Sequence, residues 1–253
     1  MSPETTERPR RSVLVTGGSS GIGAEFARAA ARGGWQVWLG YATGKERARR
    51  LAGELAEGGA DVFPVCLPLD DAARLEAGMA RVVAEGPLPQ AALLCGSPPP
   101  DVASLLKLTA ASLRHQMECA VVGNHALLTR LWRHCFRAHA GGHVLAVLSA
   151  AQGPRPTPHM AGYVTAKGAL ESLLYAAAAE WGAAGLRVSV VRPGFVDTPM
   201  LKAFPSLLVE RALGQSVPLL SPHDVAAALV QALDHPPASG TVAEIPLRLR
   251  KAS

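Results

Sequence analysis

Short apolar segments typical of β-strands alternate with longer segments of helical spacing along almost the whole chain. "SVLVTGG" (12–18) is a β-rich run, and "GAEFARAAARGG" (23–34) has helical spacing and ends in glycines. Strands this uniformly apolar are buried on both faces, as in a parallel sheet that helices cover on both sides. The alternation therefore predicts an α/β fold with a doubly wound parallel sheet.

The remaining segments continue the same alternation. The predicted strands cover residues 12–18, 35–41, 61–67, 90–96, 142–150, 186–194 and 240–249. The predicted helices cover residues 23–34, 45–59, 71–86, 163–181 and 221–235, together with a long helical stretch over 104–138 in which Gly123 is a candidate break.

The chain has 253 residues, which suits one α/β domain with a large core. Neither a linker nor an internal repeat is visible, so we predict a flexible tail over residues 1–11 and a single domain over residues 12–253. The tail "MSPETTERPRR" is polar and lacks the apolar stretch of a secretory signal. No apolar run approaches the roughly 20 residues that a membrane span needs.

Cysteine usage and charge exclude several other classes. Cys66, Cys95, Cys119 and Cys135 are scattered without a metal-binding spacing, so we expect a reducing, cytoplasmic setting and no metal site. The net charge is +5, but Lys and Arg are dispersed. The cluster "RARR" (47–50) lies in a predicted helix and is interpreted as a solvated face, so no nucleic-acid partner is expected.

The first strand leads into a glycine-rich loop, "TGGSSGIG" (16–23), and then into a helix. Gly17 permits a tight turn, while Gly21 and Gly23 let the backbone approach a pyrophosphate closely. The helix N-terminus offers unpaired N–H groups to the same anion. A strand, a loop and a helix in this order favour a nucleotide site over a plain turn.

The end of the second strand favours NADP(H) over NAD(H). A site for NAD usually places an acidic residue there to bond the ribose hydroxyls. This chain reads "LGYATGKER", with no acid before Glu46, and Thr43, Lys45 and Arg47 are available for a 2′-phosphate instead. The alternative is that these side chains are simply exposed.

Two further motifs complete a resemblance to the short-chain dehydrogenase/reductase family. "YVTAK" (163–167) resembles the active-site motif of the family, and "RPGFVDTPM" (192–200) resembles its segment at the nicotinamide end. The resemblance extends from Ser12 to Leu249 and implies a Rossmann-type sheet of about seven strands. The cofactor contacts that it implies are Gly17, Ser19, Ser20, Gly21, Ile22, Gly23, Tyr41, Thr43, Cys95, Gly96, Lys167, Pro193, Gly194, Val196 and Thr198.

Tyr163 and Lys167 are the catalytic pair that this resemblance implies. Residues four apart share one face of a helix, so the ammonium of Lys167 is expected beside Tyr163, where it lowers the pKa of the phenol from about 10. Tyr163 would exchange a proton with a carbonyl or alcohol oxygen while the cofactor moves a hydride.

The active site departs from the family pattern at two positions. The family serine lies thirteen residues before the tyrosine, where this chain has Ala150, and Ser149 is one residue away. If the strand continued regularly, Ser149 would point away from the site; a twist or bulge would change that. Ser149 is nevertheless the third candidate catalytic residue. The family asparagine falls near Ala120, and Asn124 lies one turn further on.

The cofactor site also departs from the family pattern. "LLCG" (93–96) replaces the NNAG of the family, and the acid expected after the third strand aligns with Pro68, two residues before Asp70. Losing one oxyanion-type donor costs about 10²–10³ in rate, which slows an enzyme without abolishing its activity. Candidate substitutes for the serine are Ser149, Gln152, His159, His115 and His125.

Two functions remain open at this point. The first is an NADP(H)-dependent carbonyl reductase or alcohol dehydrogenase. The second is a related protein without ordinary redox activity, either a non-catalytic partner subunit or a cyclase, dehydratase or isomerase that uses the same pocket. The intact motifs favour the first function, and the substitutions at 68, 93–96, 120 and 150 favour the second.

The segment 200–220 is mostly apolar and covers the substrate in the family, which implies an apolar or aromatic ketone or alcohol. A core-packing helix is the alternative. The basic charge would also suit a substrate linked to a carrier or to coenzyme A. The Ala-rich helix 163–184 forms a dimer interface in the family, so we expect a homodimer or homotetramer, a hetero-oligomer remaining open.

Overall fold

The computed structural model describes residues 11–153, 157–206, 209–210 and 219–247. Seven parallel strands form one sheet in the order β3-β2-β1-β4-β5-β6-β7. The strands are β1 (Ser12–Val15), β2 (Gln36–Tyr41), β3 (Val62–Cys66), β4 (Ala91–Leu94), β5 (Gly142–Val147), β6 (Leu186–Val191) and β7 (Val242–Glu244). The prediction of a seven-stranded Rossmann-type sheet is confirmed.

Seven α-helices are described in these ranges. They are α1 (Gly21–Arg32), α2 (Lys45–Glu57), α3 (Ala72–Glu85), α4 (Ala110–Met117), α5 (Gly123–His134), α6 (Ala161–Trp181) and α7 (Pro222–Asp234). No described helix is long and apolar enough to cross a membrane. Most predicted segments extend past the observed ends, because apolar residues continue into the loops after the strands.

The long stretch predicted as one helix over 104–138 is interrupted. It begins at Ala110 after Thr109, whose side chain accepts a hydrogen bond from the backbone of Ser112. A π-helical turn, Glu118–Val122, separates α4 from α5. The candidate break at Gly123 is the first residue of α5, and a side chain there would collide with the carbonyl oxygen of Leu69. The close approach of the loop that contains Leu69 explains why residue 123 is a glycine.

Helices cover both faces of the sheet. Along β1, Leu14 packs into one core with α3, α5 and α6, while Val13 and Val15 pack into a second core with α1, α2 and α7. This alternation buries both faces of each central strand, which is why the strands are uniformly apolar. The strand order reverses between β1 and β4, so the crevice for a ligand is expected at the carboxyl ends of these two strands.

The ends of the chain and part of the proposed substrate segment stay predictions. Residues 1–10 of the proposed tail lie outside the described residues, as do residues 248–249 of the last predicted strand and residues 207–208 and 211–218 of the proposed substrate segment. The division into a tail and a single domain is therefore not tested.

Candidate active site

A pocket of about 920 Å³ lies at the carboxyl edge of the sheet. Its walls come from the loop after β1, the loop after β4, the end of β5, the start of α6 and the segment after β6. Tyr163, Lys167 and Ser149 all line it, together with the glycine loop. The structure therefore brings the three candidate catalytic residues together in one cavity, and their catalytic roles stay predictions.

The glycine loop forms one wall through its backbone. Gly17 has φ +66°, and an added Cβ would lie 2.9 Å from the Cα of Gly96 in the loop after β4. Thr16 fixes that second loop, because its Oγ1 accepts hydrogen bonds from the backbone N–H groups of Cys95 and Gly96, both at 3.0 Å. The two loops touch through their backbones, and a side chain at 17 would separate them.

The start of α1 fits a phosphate group. Ser20 is the N-cap residue in an extended conformation, yet its side chain makes no capping hydrogen bond, and the first turn contains no acidic residue. Ser20, Gly21 and Ile22 line the pocket, so the unpaired N–H groups and the hydroxyl are available to an anion. Gly21 (φ +56°) lies so close to Thr198 that an added Cβ would be 3.0 Å from its Cγ2.

Four predicted cofactor contacts lie outside the wall of this pocket. They are Ser19, Gly23, Tyr41 and Thr43. Gly23 is buried beneath the loop against the carbonyl oxygen of Gly17, and Tyr41 ends β2. Ser19 lies beside the turn after β2, where a side chain on Gly44 would collide with Ser19 Oγ and with the guanidinium of Arg47. Their contact with a cofactor stays a prediction.

Tyr163 and Lys167 face the pocket from the first turns of α6. The Nζ atom of Lys167 donates a 2.7 Å hydrogen bond to the carbonyl oxygen of Val147 and lies 5.7 Å from the centre of the Tyr163 ring. Lys167 is only 3% exposed, and this burial lowers its pKa to about 8. The chain thus holds a desolvated amine beside the tyrosine.

The expected lowering of the Tyr163 pKa is wrong for the protein without bound ligands. Burial raises the pKa of Tyr163 to about 12, and the hydrogen-bonding interaction with Ser149 acts in the opposite direction. Desolvation of the phenol is the largest effect on its pKa, and it outweighs the interaction with Ser149. At neutral pH Tyr163 is therefore a phenol, the form that donates a proton.

Ser149, the third candidate catalytic residue, lines the pocket because the strand does not continue regularly to residue 149. Strand β5 ends at Val147, and Ser149 caps a short 3₁₀ turn over Ala150–Gln152. This change of direction turns Ser149 into the pocket wall, where it is 7% exposed and close enough for its hydroxyl to stabilise the phenolate of Tyr163. The strand period of two does not apply beyond the last strand residue.

A polar network outside the pocket holds this turn. Gln152 accepts a 2.9 Å hydrogen bond from the backbone N–H of Ser149 and donates one of 3.1 Å to Glu171 on α6. Glu171 is bonded in turn to Arg192, which forms an ion pair with Glu244 at 2.7 Å. Gln152, a candidate substitute for the serine, instead holds the backbone of Ser149 from outside the pocket.

The asparagine position of the family lies in the π-helical turn and is buried Ala120. Asn124 is 1% exposed and directs its amide back to this turn, donating to the carbonyl oxygens of Cys119 at 3.3 Å and Ala120 at 2.9 Å. It does not line the pocket. Asn124 thus binds the backbone of the π turn, and it does not replace the missing side chain.

The loop after β4 contributes a thiol in place of the amide side chains of the family pattern. Leu93 and Leu94 are buried in the two cores, while Cys95 and Gly96 line the pocket. Burial raises the pKa of Cys95 to about 11, so it is a neutral thiol. Asp70 is exposed and does not line the pocket, and Pro68 is buried.

The opposite wall is apolar. Pro193, Gly194, Val196 and Thr198, all predicted cofactor contacts, line it together with Phe195 and Phe204. The two phenylalanine rings pack edge to face at 5.5 Å between centroids. Among the candidate histidines only His159 lines the pocket, in a left-handed conformation with φ +65°, whereas His115 and His125 lie elsewhere.

Comparison with known proteins identifies the family. Residues 11–206 match the family model described as short chain dehydrogenase. The chain belongs to the short-chain dehydrogenase/reductase family. It is 29% identical over 210 residues to the 3-oxoacyl-(acyl-carrier-protein) reductase FabG of Staphylococcus aureus strain Mu50, covering 83% of each protein. It is 32% identical over 202 residues to cis-4-hydroxycyclohexanecarboxylate dehydrogenase of Sinomonas cyclohexanicum, covering 78% of this chain and 77% of that protein.

A solved structure supports the fold. The dehydrogenase/reductase of Sinorhizobium meliloti 1021 superposes with a TM-score of 0.82 at 24% identity, covering 93% of each chain. The suspected family is thus confirmed, and it is a family of oxidoreductases that bind nicotinamide cofactors. The parts that the sequence did not predict are the network behind Ser149 and the aromatic pair Phe195 and Phe204, because each depends on contacts between distant segments.

Proposed function

We propose that this short-chain dehydrogenase is an NADP(H)-dependent oxidoreductase that interconverts an apolar or aromatic ketone and its alcohol, with Tyr163 exchanging the proton. The observation that carries the proposal is the convergence of Ser149 and Lys167 on Tyr163 inside one pocket, opposite the glycine loop. The serine that the family spacing lacks is supplied one residue earlier.

The glycine loop and the start of α1 would hold the phosphates of the cofactor, and the segment from Pro193 to Thr198 would bound its nicotinamide end. When bound, the cofactor supplies the hydride in the direction of reduction. Lys167, with its buried amine at the base of the pocket, is the candidate partner of the cofactor ribose.

The protonation states suit the reduction of a carbonyl group. Burial keeps Tyr163 a phenol at neutral pH, so it can donate its proton to the oxygen that becomes an alcohol. The Ser149 hydroxyl, which already stabilises the phenolate form, would also donate to the developing oxyanion. One hydride and one proton convert the ketone to the alcohol, and the reverse reaction returns both.

The preference for NADP(H) is supported by the turn after β2. Ser19 Oγ and the Arg47 guanidinium lie together beside Gly44, and Lys45 begins α2 with its side chain exposed. A hydroxyl and two cationic groups form a suitable binding site for a 2′-phosphate, since Arg binds phosphate through several N–H donors.

The substrate class is supported by the apolar wall. Met200, Leu201 and Phe204 line the pocket from the part of segment 200–220 that the structure describes. We also propose a cytoplasmic homodimer or homotetramer and keep a carrier- or coenzyme A-linked substrate as a variant of the proposal. The FabG relative is a reductase of acyl-carrier-protein substrates by its name.

The test is a pair of measurements on the purified protein. Binding of NADPH and NADH is followed by calorimetry, and each cofactor is then offered with a panel of cyclic and aromatic ketones, some linked to coenzyme A. We expect tighter binding of NADPH than of NADH, and NADPH-dependent reduction of at least one apolar ketone. Equal binding of both would remove the NADP preference, and absence of binding would overturn the redox function.

A related protein without redox activity is the second candidate, because Ala120 leaves the pocket without the asparagine of the family and Asn124 is engaged elsewhere. This function predicts no transfer of hydride to any ketone, even when NADPH binds. Isomerisation or dehydration of the same compounds, followed by mass spectrometry, would then identify a non-redox enzyme.

A further inference from the structure

Three potential metal ligands meet outside the pocket, although they come from distant parts of the chain. Asp70 lies in the loop between β3 and α3, His115 in the last turn of α4, and Cys119 in the π-helical turn. The ligand atoms of all three lie within 4.8 Å of one another, and Cys119 Sγ is 4.0 Å from His115 Nδ1. A nitrogen, a sulfur and an oxygen donor therefore surround one point.

These donors are available for a cation. Asp70 and His115 are exposed, and neither makes an ion pair within the part of the chain that the structure describes. Cys119 is buried, but its Sγ lies beside the two exposed groups, which gives an ion a route from solvent. Besides Asp70, the carboxylate of Glu118 is close enough to Cys119 to act on it electrostatically, and this second negative charge favours a cation.

We propose that Asp70, His115 and Cys119 bind one zinc-class divalent ion, with water as the fourth ligand. A mixed set of Cys, His and Asp ligands is typical of zinc, which forms bonds of about 2.0–2.3 Å to them. Tetrahedral bonds of that length place ligand atoms roughly 3.5 Å apart. The observed spacing of up to 4.8 Å would have to contract by about 1 Å, and the exposed Asp70 and His115 side chains would have to rotate to achieve this.

We expected no metal site, because the cysteines show no spacing typical of metal ligands. His115 and Cys119 are nevertheless four residues apart, a spacing that puts both on one helical face, and Asp70 reaches them from a loop that the sequence does not place. An ion would tie the loop after β3 to the π turn. The same loop carries Leu69, whose side chain packs near Gly96 of the pocket and whose carbonyl oxygen lies against Gly123.

Cobalt(II) gives a direct test because it replaces zinc and reports its ligands by colour. The full chain is treated with chelator, reduced, and titrated with Co²⁺ without oxygen. We expect saturation at one equivalent, with a thiolate-to-cobalt charge-transfer band and the visible bands of a tetrahedral ion, all removed by Zn²⁺. Binding releases the Cys119 proton to solvent.

Variants locate the ion. His115→Ala and Asp70→Asn change exposed residues. Loss of an outer-shell partner weakens metal binding by about 10–100-fold. Loss of a direct ligand should weaken Zn²⁺ binding by more than that in each variant. Cys119→Ser should abolish the charge-transfer band. Cys66→Ser removes a half-buried thiol of β3 and should bind Co²⁺ like the wild type.

Several results would overturn the site. They are the absence of a thiolate band in the wild type at excess Co²⁺, a band that survives Cys119→Ser, and unchanged Zn²⁺ affinity in His115→Ala. Circular dichroism checks that each variant is folded. If Cys119→Ser does not fold, His115→Ala decides the question, because its side chain is exposed and makes no described hydrogen bond with other residues besides its contact with Cys119.

Discussion

The two sides of the active-site pocket are built in different ways. The glycine loop acts through its backbone: Gly17 and Gly21 adopt positive φ, and Gly17 touches Gly96 without any side chain between them. The side that we propose for proton transfer presents three side chains, Ser149, Tyr163 and Lys167, which come from two segments of the chain. A site built from backbone groups depends on the spacing of its glycines. A site built from side chains tolerates a functional residue displaced by one position in the sequence if the local turn directs that residue into the pocket.

Replacement of Tyr163 should have the largest effect, and only on the chemical step. Tyr163→Phe removes the proton donor, so we expect turnover to fall by about 10²–10⁴, the usual range for general acid–base groups. Cofactor affinity should hardly change, because the glycine loop is intact. Tyr175→Phe is the matched control: Tyr175 is on the same helix, 52% exposed, and should retain full turnover. Comparable losses in both variants would contradict the assignment.

Replacement of Ser149 should have the next largest effect. Ser149→Ala removes one donor to the reacting oxygen, so kcat should fall by about 10²–10³. The KM for NADPH should stay unchanged, which steady-state kinetics with both substrates would show. A kcat within a factor of about two of the wild type would mean that the shifted serine does not act in the reaction.

Replacement of Gly17 should weaken cofactor binding by the glycine loop and leave the side chains on the other side of the pocket in place. Gly17→Ala puts a Cβ 2.9 Å from Gly96 Cα at a positive φ, so the two loops must separate and NADPH affinity should fall at least about tenfold. Gly34→Ala is the control, because Gly34 also has a positive φ but no atom lies within 4 Å of an added Cβ. Calorimetric titration compares the two. Equal losses of affinity would mean that backbone strain, rather than the contact with Gly96, matters.

Gln152 should have a smaller effect, through Ser149. Gln152→Ala removes the hydrogen bond to the Ser149 backbone and the link to Glu171. We expect kcat to fall by roughly tenfold, which is less than the loss for Ser149→Ala because the hydroxyl remains, and is equivalent to about one net hydrogen bond. In the Ser149→Ala background the same substitution should cost little further kcat. Additive losses would show that Gln152 acts independently of Ser149.

The smallest expected effect is on stability, through Lys167. Its folded pKa of about 8 lies below the ordinary 10.5, so the unfolded chain binds more protons between these values and the free energy of unfolding rises with pH in that range. From pH 8 to pH 10 the free energy of unfolding of the wild type should gain about 2 kcal/mol over that of Lys167→Met. Above pH 10 the raised pKa of Tyr163 acts in the opposite direction. Denaturant unfolding measures the free energy of unfolding of both proteins. A difference between wild type and Lys167→Met that does not change with pH would contradict the burial of this amine. Lys107→Met, which changes an exposed residue, is the control.

The fold and the backbone side of the pocket were predictable from sequence. Apolar strands, helical spacing and "TGGSSGIG" are local patterns with one structural consequence each, and they led to the confirmed sheet and to the loop that lines the pocket. The YVTAK spacing placed Tyr163 and Lys167 on one helical face for the same reason.

The side-chain site was less predictable because its geometry depends on where a strand ends. A strand predicted to run to residue 150 left the direction of Ser149 open, whereas the observed strand stops at Val147 and Ser149 caps the next turn. The pKa of Tyr163 was misjudged because the sequence shows that Lys167 is near but not how deeply the phenol of Tyr163 is buried. Similarly, the meeting of Asp70 with His115 and Cys119 depends on a loop that the sequence does not place.

The most direct test of the central claim, that Ser149 replaces the missing family serine, is to move the hydroxyl back to the family spacing. Turnover of NADPH with the best ketone is measured for the wild type, Ser149→Ala, and the double variant Ser149→Ala with Ala150→Ser. We predict that the double variant stays as slow as Ser149→Ala, because the hydroxyl at residue 149 is the one that interacts with Tyr163, although residue 150 also lines the pocket. Recovery of wild-type turnover in the double variant would contradict it.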